Sequence, residues 1–375
     1  MFEFLNINPK SFGLDFSNLS LKLANLKKKR NTFALASWGE SRLEPGIIED
    51  GEIKKPDLLA KLIKQVVANA NGEKIKTKNV VASLPEKKSF FQVIQMPKMS
   101  EEEMKTAVPF EAENYIPLSA KDAYIDFEVI PNANNAKSGF ENVLVVAFPR
   151  KIVDSYLNCL KKSGLTVRAL EVESQSIIRS LIKGEKSHFP ALVIDFGRST
   201  TSFIFFSGNS ILFTSSIQIS SQDISRKISD ILKIKLSEAE ILKLEYGFNG
   251  GRERENIVEE KKRRAVFAAS KEVLANLAEE IKKHLKYYQT HINYANQTAG
   301  GGKIEKIILC GRGANLKGMG DFLSFELKMP VETGNPWVNI LPEPLRELPE
   351  ISYEDSLGYT TALGLALRGA RGEGY

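Results

Sequence analysis

Cysteine is nearly absent: the 375 residues hold two, Cys159 and Cys310, with no C-x-x-C spacing. That excludes a disulfide-stapled scaffold and points to two buried thiols in a reducing compartment. Histidine is almost as scarce. His188, His284 and His291 show no metal-ligand spacing, and the last two, seven residues apart, read as points on a polar helix face. No G-x-S-x-G occurs and no Cys–His pairing can be argued, so hydrolytic or redox chemistry built on a side-chain nucleophile is unsupported. Long apolar runs are missing too. The longest uncharged stretch, Ser199 to Gln222, is interrupted by Ser, Thr, Asn and Gln, and its apolar clusters read as paired buried strands rather than as the roughly 20 apolar residues a bilayer span needs. The opening MFEFLNINPK has neither a basic lead into an apolar core nor a small-residue cleavage site, so a cytoplasmic protein is expected.

What is present is the composition of a globular protein: 42% hydrophobic, 26% charged, with a mean hydropathy of -0.20. A chain of 375 residues exceeds what one core usually supports, so at least two lobes are expected. The net charge of +6 permits attraction to nucleic acid, anionic lipid or ATP. Two basic runs carry part of it, Lys27 to Arg30 where one strand turns into the next, and Lys261 to Arg264 on a helix. Neither is interleaved with aromatics that would stack bases, so both read as solvated surface, with a membrane-facing role left open.

Alternation through Leu19, Leu21 and Leu23 predicts strands in a hairpin from Phe12 to Trp38. Pro56 starts a helix whose stripe is Leu58, Leu59, Leu62, Ile63, Val66 and Val67. Strands follow at Asn79 to Leu84 and around Phe90 to Met96, then Ser100 and Glu103 form a capping box for a helix running to Tyr115. Strands at Ala123 to Ile130 and Asn142 to Phe148, parted by a polar loop from Asn132 to Gly139, and a helix from Lys151 to Ser163 complete what reads as a small α+β module, residues 86–163. The expected division is 1–85 plus 164–190 as a first lobe, 86–163 as the insertion, 191–225 plus 304–375 as a second lobe, and 226–303 as a helical subdomain.

The chain also repeats itself. Asp15-Phe-Ser-Asn-Leu-Ser20 matches Asp195-Phe-Gly-Arg-Ser-Thr200: a strand ending in Asp, an aromatic, a small residue, two variable positions and a hydroxyl, half a chain apart. Either turn alone is an ordinary Asp/Ser hairpin. As a pair they favour phosphate, because tight turns aim backbone N–H groups inward as an anion nest. Ser17, Ser20 and Thr200 add hydroxyl donors, Lys22 a point charge, and Asp15 and Asp195 can hold the water shell of Mg²⁺. A third glycine turn runs from Gly311 to Gly318 after the strand Ile307 to Leu309. Leu316 breaks a dinucleotide fingerprint, and Ile304 after Gly302-Lys303 excludes a P-loop, so this turn suits packing on an adenine ring.

Three turns in this order resemble the actin-like superfamily, and more closely the PilM family of type IV pilus assembly proteins. The residues that carry the resemblance are FGLDFSNLSLKL at 12–23, MPKMSEEEMKTAVPFEAENYIPL at 96–118, VIDFGRSTTSF at 193–203, LSEAEILKLEYG at 236–247 and GRGANLKGMGDFLSFELKMPVETGNPW at 311–337. The resemblance implies an α/β actin-like fold, a duplicated ribonuclease-H-like core in two lobes with the inserted module, holding ATP and Mg between them. It implies a protein at the inner face of the inner membrane. There it would bind the cytoplasmic N-terminal peptide of PilN, and through it the PilN/PilO complex, without touching lipid or nucleic acid itself. Carried over by position, Asp15, Ser17, Ser20 and Lys22 form the first phosphate loop, and Asp195, Gly197 and Thr200 the second. Glu173 faces the metal and attacking water, with Asp195 as its catalytic companion. Gly311, Gly313 and Ala314 form the adenosine turn, and Glu279, Lys282 and Lys283 touch ribose and adenine. Phe110, Tyr115 and Ile116 lie beside the peptide groove.

Phe16, Asn18, Arg198 and Arg312 depart from the small residues common in those turns. Binding of ATP with slow or no hydrolysis is therefore expected. The alternatives are a division-type membrane anchor like FtsA, against which the short C-terminal Ala362 to Arg368 segment counts, a small-molecule kinase, for which no acceptor-pocket base can be named, and a nucleic-acid binder resting on charge alone.

Overall fold

The strand Phe12–Phe16 (β1) is buried at every position, and its sequence FGLDF permits this because Asp15 is its one charged residue. A strand covered on both faces belongs in the middle of a sheet. The structure, a computed structural model, describes residues 10–130, 139–248, 257–292, 302–342 and 348–372. It divides into two units: Met1–Ser187, Ser207–Thr214 and Asn335–Tyr375 form the first, His188–Phe206 and Ser215–Gly334 the second.

In the first unit β1 is followed by β2 (Ser20–Lys29), β3 (Thr32–Arg42), the short β4 (Ile48–Glu49) and β5 (Glu52–Ile53), α1 (Pro56–Ala68), β6 (Asn71–Gly72) and β7 (Asn79–Leu84). Next come β8 (Phe90–Pro97), α2 (Glu101–Ala112), β9 (Ala123–Ile130), β10 (Phe140–Pro149), α3 (Arg150–Lys162), β11 (Thr166–Val172) and α4 (Glu173–Leu181). The main sheet has the order β11-β7-β1-β2-β3-β6. β1 runs antiparallel to β2 and parallel to β7, and β11 runs parallel to β7.

The module keeps its own core. Its sheet, β8-β10-β9, is covered by α2 through Met104, Val108 and Ala112 against Ile94, Met96, Val143 and Val145. The capping box forms as expected: the Ser100 N–H and hydroxyl donate to the Glu103 carboxylate at 2.8 Å. The helix ends at Ala112, three residues short of Tyr115. α3, which the sequence division grouped with the module, instead turns Ile152, Val153, Tyr156, Cys159 and Leu160 into the main core beside Phe12 and Leu14. Its amphipathic stripe decides this, since a helix packs where its apolar face is buried.

The elements that follow are β12 (Ser187–Phe196), β13 (Thr201–Gly208), β14 (Ser210–Ile217), α5 (Ser221–Leu232), α6 (Leu236–Tyr246), α7 (Ile257–Tyr287), β15 (Lys306–Cys310), α8 (Met319–Leu327) and β16 (Val331–Thr333), which fall in the second unit except for Ser187 and the Ser207–Thr214 stretch of β13 and β14. Its sheet order is β14-β13-β12-β15-β16, with β12, β15 and β16 parallel. Read from the hairpin side, each sheet is hairpin, central strand, two parallel strands. The duplication seen in the turns is a duplication of the whole sheet.

The chain then adds α9 (Tyr353–Leu357) and α10 (Thr360–Arg371). The sequence division placed 304–375 in the second lobe, yet from Asn335 onward these residues group with the first unit. The reason is α10, whose Ala362, Leu363, Ala366 and Leu367 pack with Ala24 and Leu26 of β2. Small residues let it come that close. A Cβ on Gly364 would strike the carbonyl of Ser176, and one on Gly13 would strike the backbone of α10.

Candidate functional site

In the first unit, β1 delivers Asp15 to the start of the turn. The residue is 7% exposed, and the Ser83 hydroxyl donates to its Oδ1 at 3.0 Å. Burial pushes its pKa up, and Lys22, opposite it in register, offsets part of that. The turn is tied internally: the Ser17 N–H donates to the Ser20 carbonyl at 2.9 Å, and the Ser20 N–H to Ser17 Oγ at 3.0 Å. Asn18 Oδ1 accepts from the Gly51 N–H, while the N–H groups of Asn18 and Leu19 make no hydrogen bond among the described residues.

Glu173 opens α4, where its charge suits the positive end of the helix. Its Oε2 accepts from the Glu86 N–H at 3.4 Å, and Glu86 returns the favour by accepting the Ser174 N–H at 3.0 Å. Burial foremost, then the charges of Glu173, Cys159 and Asp15, raises the pKa of Tyr156, whose hydroxyl donates to the Gly51 carbonyl at 3.1 Å and whose ring packs on Phe16. Asp15, Ser17 and Lys22 are thus held together at the β1–β2 turn of the first unit, and Glu173 is held by Glu86 at the start of α4.

The second unit repeats the device. The Gly197 N–H donates to the Thr200 carbonyl at 3.0 Å, the same bond that Ser17 makes to Ser20. Glycine is required because a Cβ would sit 2.7 Å from that carbonyl oxygen. The N–H groups of Arg198, Ser199 and Thr200 make no hydrogen bond among the described residues, as an anion nest requires. Asp195, next to last in β12, lies opposite Cys310 at the end of β15, so the third turn begins beside it. Gly311 (φ 81°, ψ 159°) has a conformation open in practice only to glycine, and a Cβ there would collide with the Asp195 carboxylate. Gly313 lies against the carbonyl and ring of Phe196, and Ala314 is buried beside it. Asp195, Gly197, Thr200, Gly311, Gly313 and Ala314 are therefore brought together.

Glu279, Lys282 and Lys283 are not brought to these turns by any hydrogen bond or ion pair. Lys282 pairs with Glu279 at 2.8 Å and Glu326 at 3.8 Å, and Lys283 with the half-buried Glu280 at 2.7 Å. Two residues of α6 do lie beside the second turn. Arg198 pairs with Glu240 at 2.5 Å, which turns the charge inside the second turn toward α6. Lys243, buried, donates to the Ser221 carbonyl at 2.9 Å, and Ser221 donates its N–H to Gly197 at 3.0 Å. Burial pulls the Lys243 pKa down to about 8, the pairing of Glu240 and Arg198 acting in opposite senses. Both lie three apart in LSEAEILKLEYG, so helical spacing was the signal that could have found them.

Phe110 is 71% and Tyr115 50% exposed, whereas Ile116 is 5% exposed within the core of the module and offers no side chain to a partner. His284 is bonded to Ser215 and the Glu280 carbonyl and lies 4.5 Å from Phe203, a packing role. The His291 side chain lies outside the described residues. Among the described residues no three His, Cys, Asp or Glu side chains gather to chelate a metal, and no helix is long and apolar enough to cross a membrane.

Duplicated sheets with an Asp-headed turn in each define the actin-like fold. MreB 5 of Spiroplasma citri bound to AMPPNP shares it at 13% identity, with a TM-score of 0.53 and coverage of 96% of each chain. The chain belongs to the family of the type IV pilus assembly protein PilM, whose model matches residues 13–370. A solved PilM-PilN type IV pilus biogenesis complex is similar at 26% identity with a TM-score of 0.80, covering 97% of this chain and 99% of that one. The cell division protein FtsA of Enterococcus hirae is 27% identical over 104 residues, 28% of this chain. That match spans about a quarter of the FtsA chain, 24%.

Proposed function

We propose that the protein is a nucleotide-binding adaptor of type IV pilus assembly that engages the cytoplasmic N-terminal tail of PilN. The observation that carries this reading is the match to the PilM-PilN complex along 97% of the chain. Through PilN and PilO the protein would sit at the inner face of the inner membrane. Phe110 and Tyr115 are exposed side chains of the module and are the ones proposed to face the peptide.

The ligand proposed for the turns is ATP with Mg²⁺. The residues fit it: unbonded N–H groups at 18–19 and 198–200 suit phosphate oxygens, and the turn of Gly311, Gly313 and Ala314, packed on Asp195 and Phe196, is the segment proposed to meet the base. Asp15 and Asp195 would hold Mg²⁺ through water, as a cation reluctant to dehydrate prefers, and the ion would neutralise phosphate charge. Lys22 would serve as a cation for phosphate, Lys243 as a second cation for the nucleotide, and Glu173 would orient water, with hydrolysis slow or absent. The MreB solved with AMPPNP lends the reading support at the level of the fold. Titration of Mg-ATP into the wild type and Asp195→Ala tests it: the variant should bind at least about tenfold more weakly, the loss of one charge-assisted contact. Equal affinities would remove Asp195 and its turn from the site.

A further inference from the structure

The basic run Lys27 to Arg30 has no part in the reading above, and the fold gives it company. β2 runs antiparallel to β1 with Gly13 opposite Ala24, so the end of β2 returns to the edge where β1 begins, at Lys10. β7 runs parallel to β1 with Phe12 opposite Val80, which brings Lys78 to that edge as well. The loop between β6 and β7 is bound there: Lys27 Nζ lies 2.5 Å from Glu73, and the Thr77 hydroxyl donates to the Lys10 carbonyl at 3.0 Å. Lys74 and Lys76 lie in that loop.

Lys10, Lys27, Lys28, Lys29, Arg30, Lys74, Lys76 and Lys78 are all exposed on this edge of the first unit. The acid in these segments is Glu73, whose carboxyl is held below its usual range by Lys27 first and then Lys76. None of the large exposed apolar side chains of the described residues lies in these segments, and Phe33, opposite Lys28, packs inward.

We propose that this edge rests directly on the anionic headgroups of a membrane. Three chain segments meeting on one sheet edge give a broad field of one sign, and clustered Lys and Arg are drawn to anionic lipid within a Debye length of the surface. Without aromatic side chains the edge offers nothing for bases to stack on. Without an apolar wedge it sits on the headgroups and does not insert, so the attachment is electrostatic, reversible and additional to any held through a protein partner.

The test is co-sedimentation of the full chain, with no nucleotide and no partner peptide, on vesicles of phosphatidylcholine alone and of phosphatidylcholine with phosphatidylglycerol. Binding is expected to the second only, lost as salt is raised. The variant K27Q/K28Q/K29Q/R30Q should bind at least about tenfold more weakly, with an unchanged unfolding midpoint. K74Q/K76Q, on a separate loop, should weaken binding by itself and keeps the question open to measurement if the first variant misfolds. Equal binding to both vesicles, no binding to either, or variants indistinguishable from wild type would overturn the proposal. Tighter binding to duplex DNA than to the anionic vesicles at matched salt would assign the edge to nucleic acid and overturn it too. No partner or nucleotide enters this assay, so its failure leaves the adaptor reading standing.

Discussion

The carboxylate of Asp195 rests against Gly311, and a Cβ at position 311 would collide with its Oδ1. The residue proposed to hold the metal and the turn proposed to hold the base are thereby one rigid piece of the second unit. Gly311→Ala must break either the positive φ or the packing on Asp195. A loss of about 2–3 kcal/mol in stability is expected from the forced conformation, with Mg-ATP binding lost alongside. Chemical denaturation and nucleotide titration of the same variant check both; a variant that binds normally would show that the two turns do not share a ligand.

Asp15 is a buried carboxylate whose pKa is raised chiefly by burial. A raised pKa means the folded state binds protons more tightly than the unfolded one, so the cost of the charge is present at neutral pH and is relieved as pH falls through the folded pKa. Asp15→Asn retains an acceptor for the Ser83 hydroxyl and removes that cost. Its unfolding temperature at neutral pH should rise while Mg-ATP affinity falls, the trade-off expected of a functional group held in an unfavourable place. A fall in both would mark Asp15 as structural.

Lys243 gives a pH signature. With a pKa near 8, it loses its charge as pH rises through that value, and the attraction proposed for the nucleotide would go with it. Mg-ATP affinity should therefore decline between about pH 7 and pH 9 in the wild type and stay flatter in Lys243→Met. Since the folded pKa is depressed, the unfolded chain holds its proton longer and stability should rise as pH goes from about 8 toward 10.5. Parallel pH profiles in the two proteins would place Lys243 outside the site.

Glu171 is buried and clasped by Arg179 at 2.5 Å and Arg368 at 2.5 Å, with Ser176 donating as well. Burial alone would raise its pKa, but the two guanidinium groups more than offset this and hold it below 4.5. Its stabilising contribution is present above that value and is lost as pH falls through the folded pKa. Glu171→Ala strands two partly buried cations, and a loss of about 3–5 kcal/mol is expected. Acid denaturation followed by circular dichroism would show it; a loss under about 1 kcal/mol would mean solvent already screens the cluster.

The turns were legible because their geometry is local: four residues with fixed hydroxyl and glycine positions set both the Ser17 to Ser20 and the Gly197 to Thr200 bonds. The duplicated sheet followed from them. Glu240 and Lys243, which lie beside the second turn, are not singled out by sequence because a lysine on a helix reads as solvated, and only the packing of α5 on α6 buries it. Glu279, Lys282 and Lys283 were charged positions on a long helix, and nothing in sequence says which turn of that helix meets which loop. Ile116 went astray for the opposite reason: the FEAENYIPL segment leaves the helix at Ala112, and the chain folds that side chain back under it. The return of α10 to β1 rests on Gly13 and Gly364, whose role appears only when the two surfaces meet.

The central claim is a PilN adaptor governed by nucleotide, and one calorimetric experiment addresses it: titration of the PilN N-terminal cytoplasmic peptide into the protein with and without Mg-ATP, repeated with Phe110→Ala/Tyr115→Ala. A ligand can switch a partner only by binding the two states differently. We expect saturable binding that shifts with Mg-ATP and falls about tenfold or more in the double variant, in keeping with exposed aromatic anchors. No binding in either condition would contradict the account.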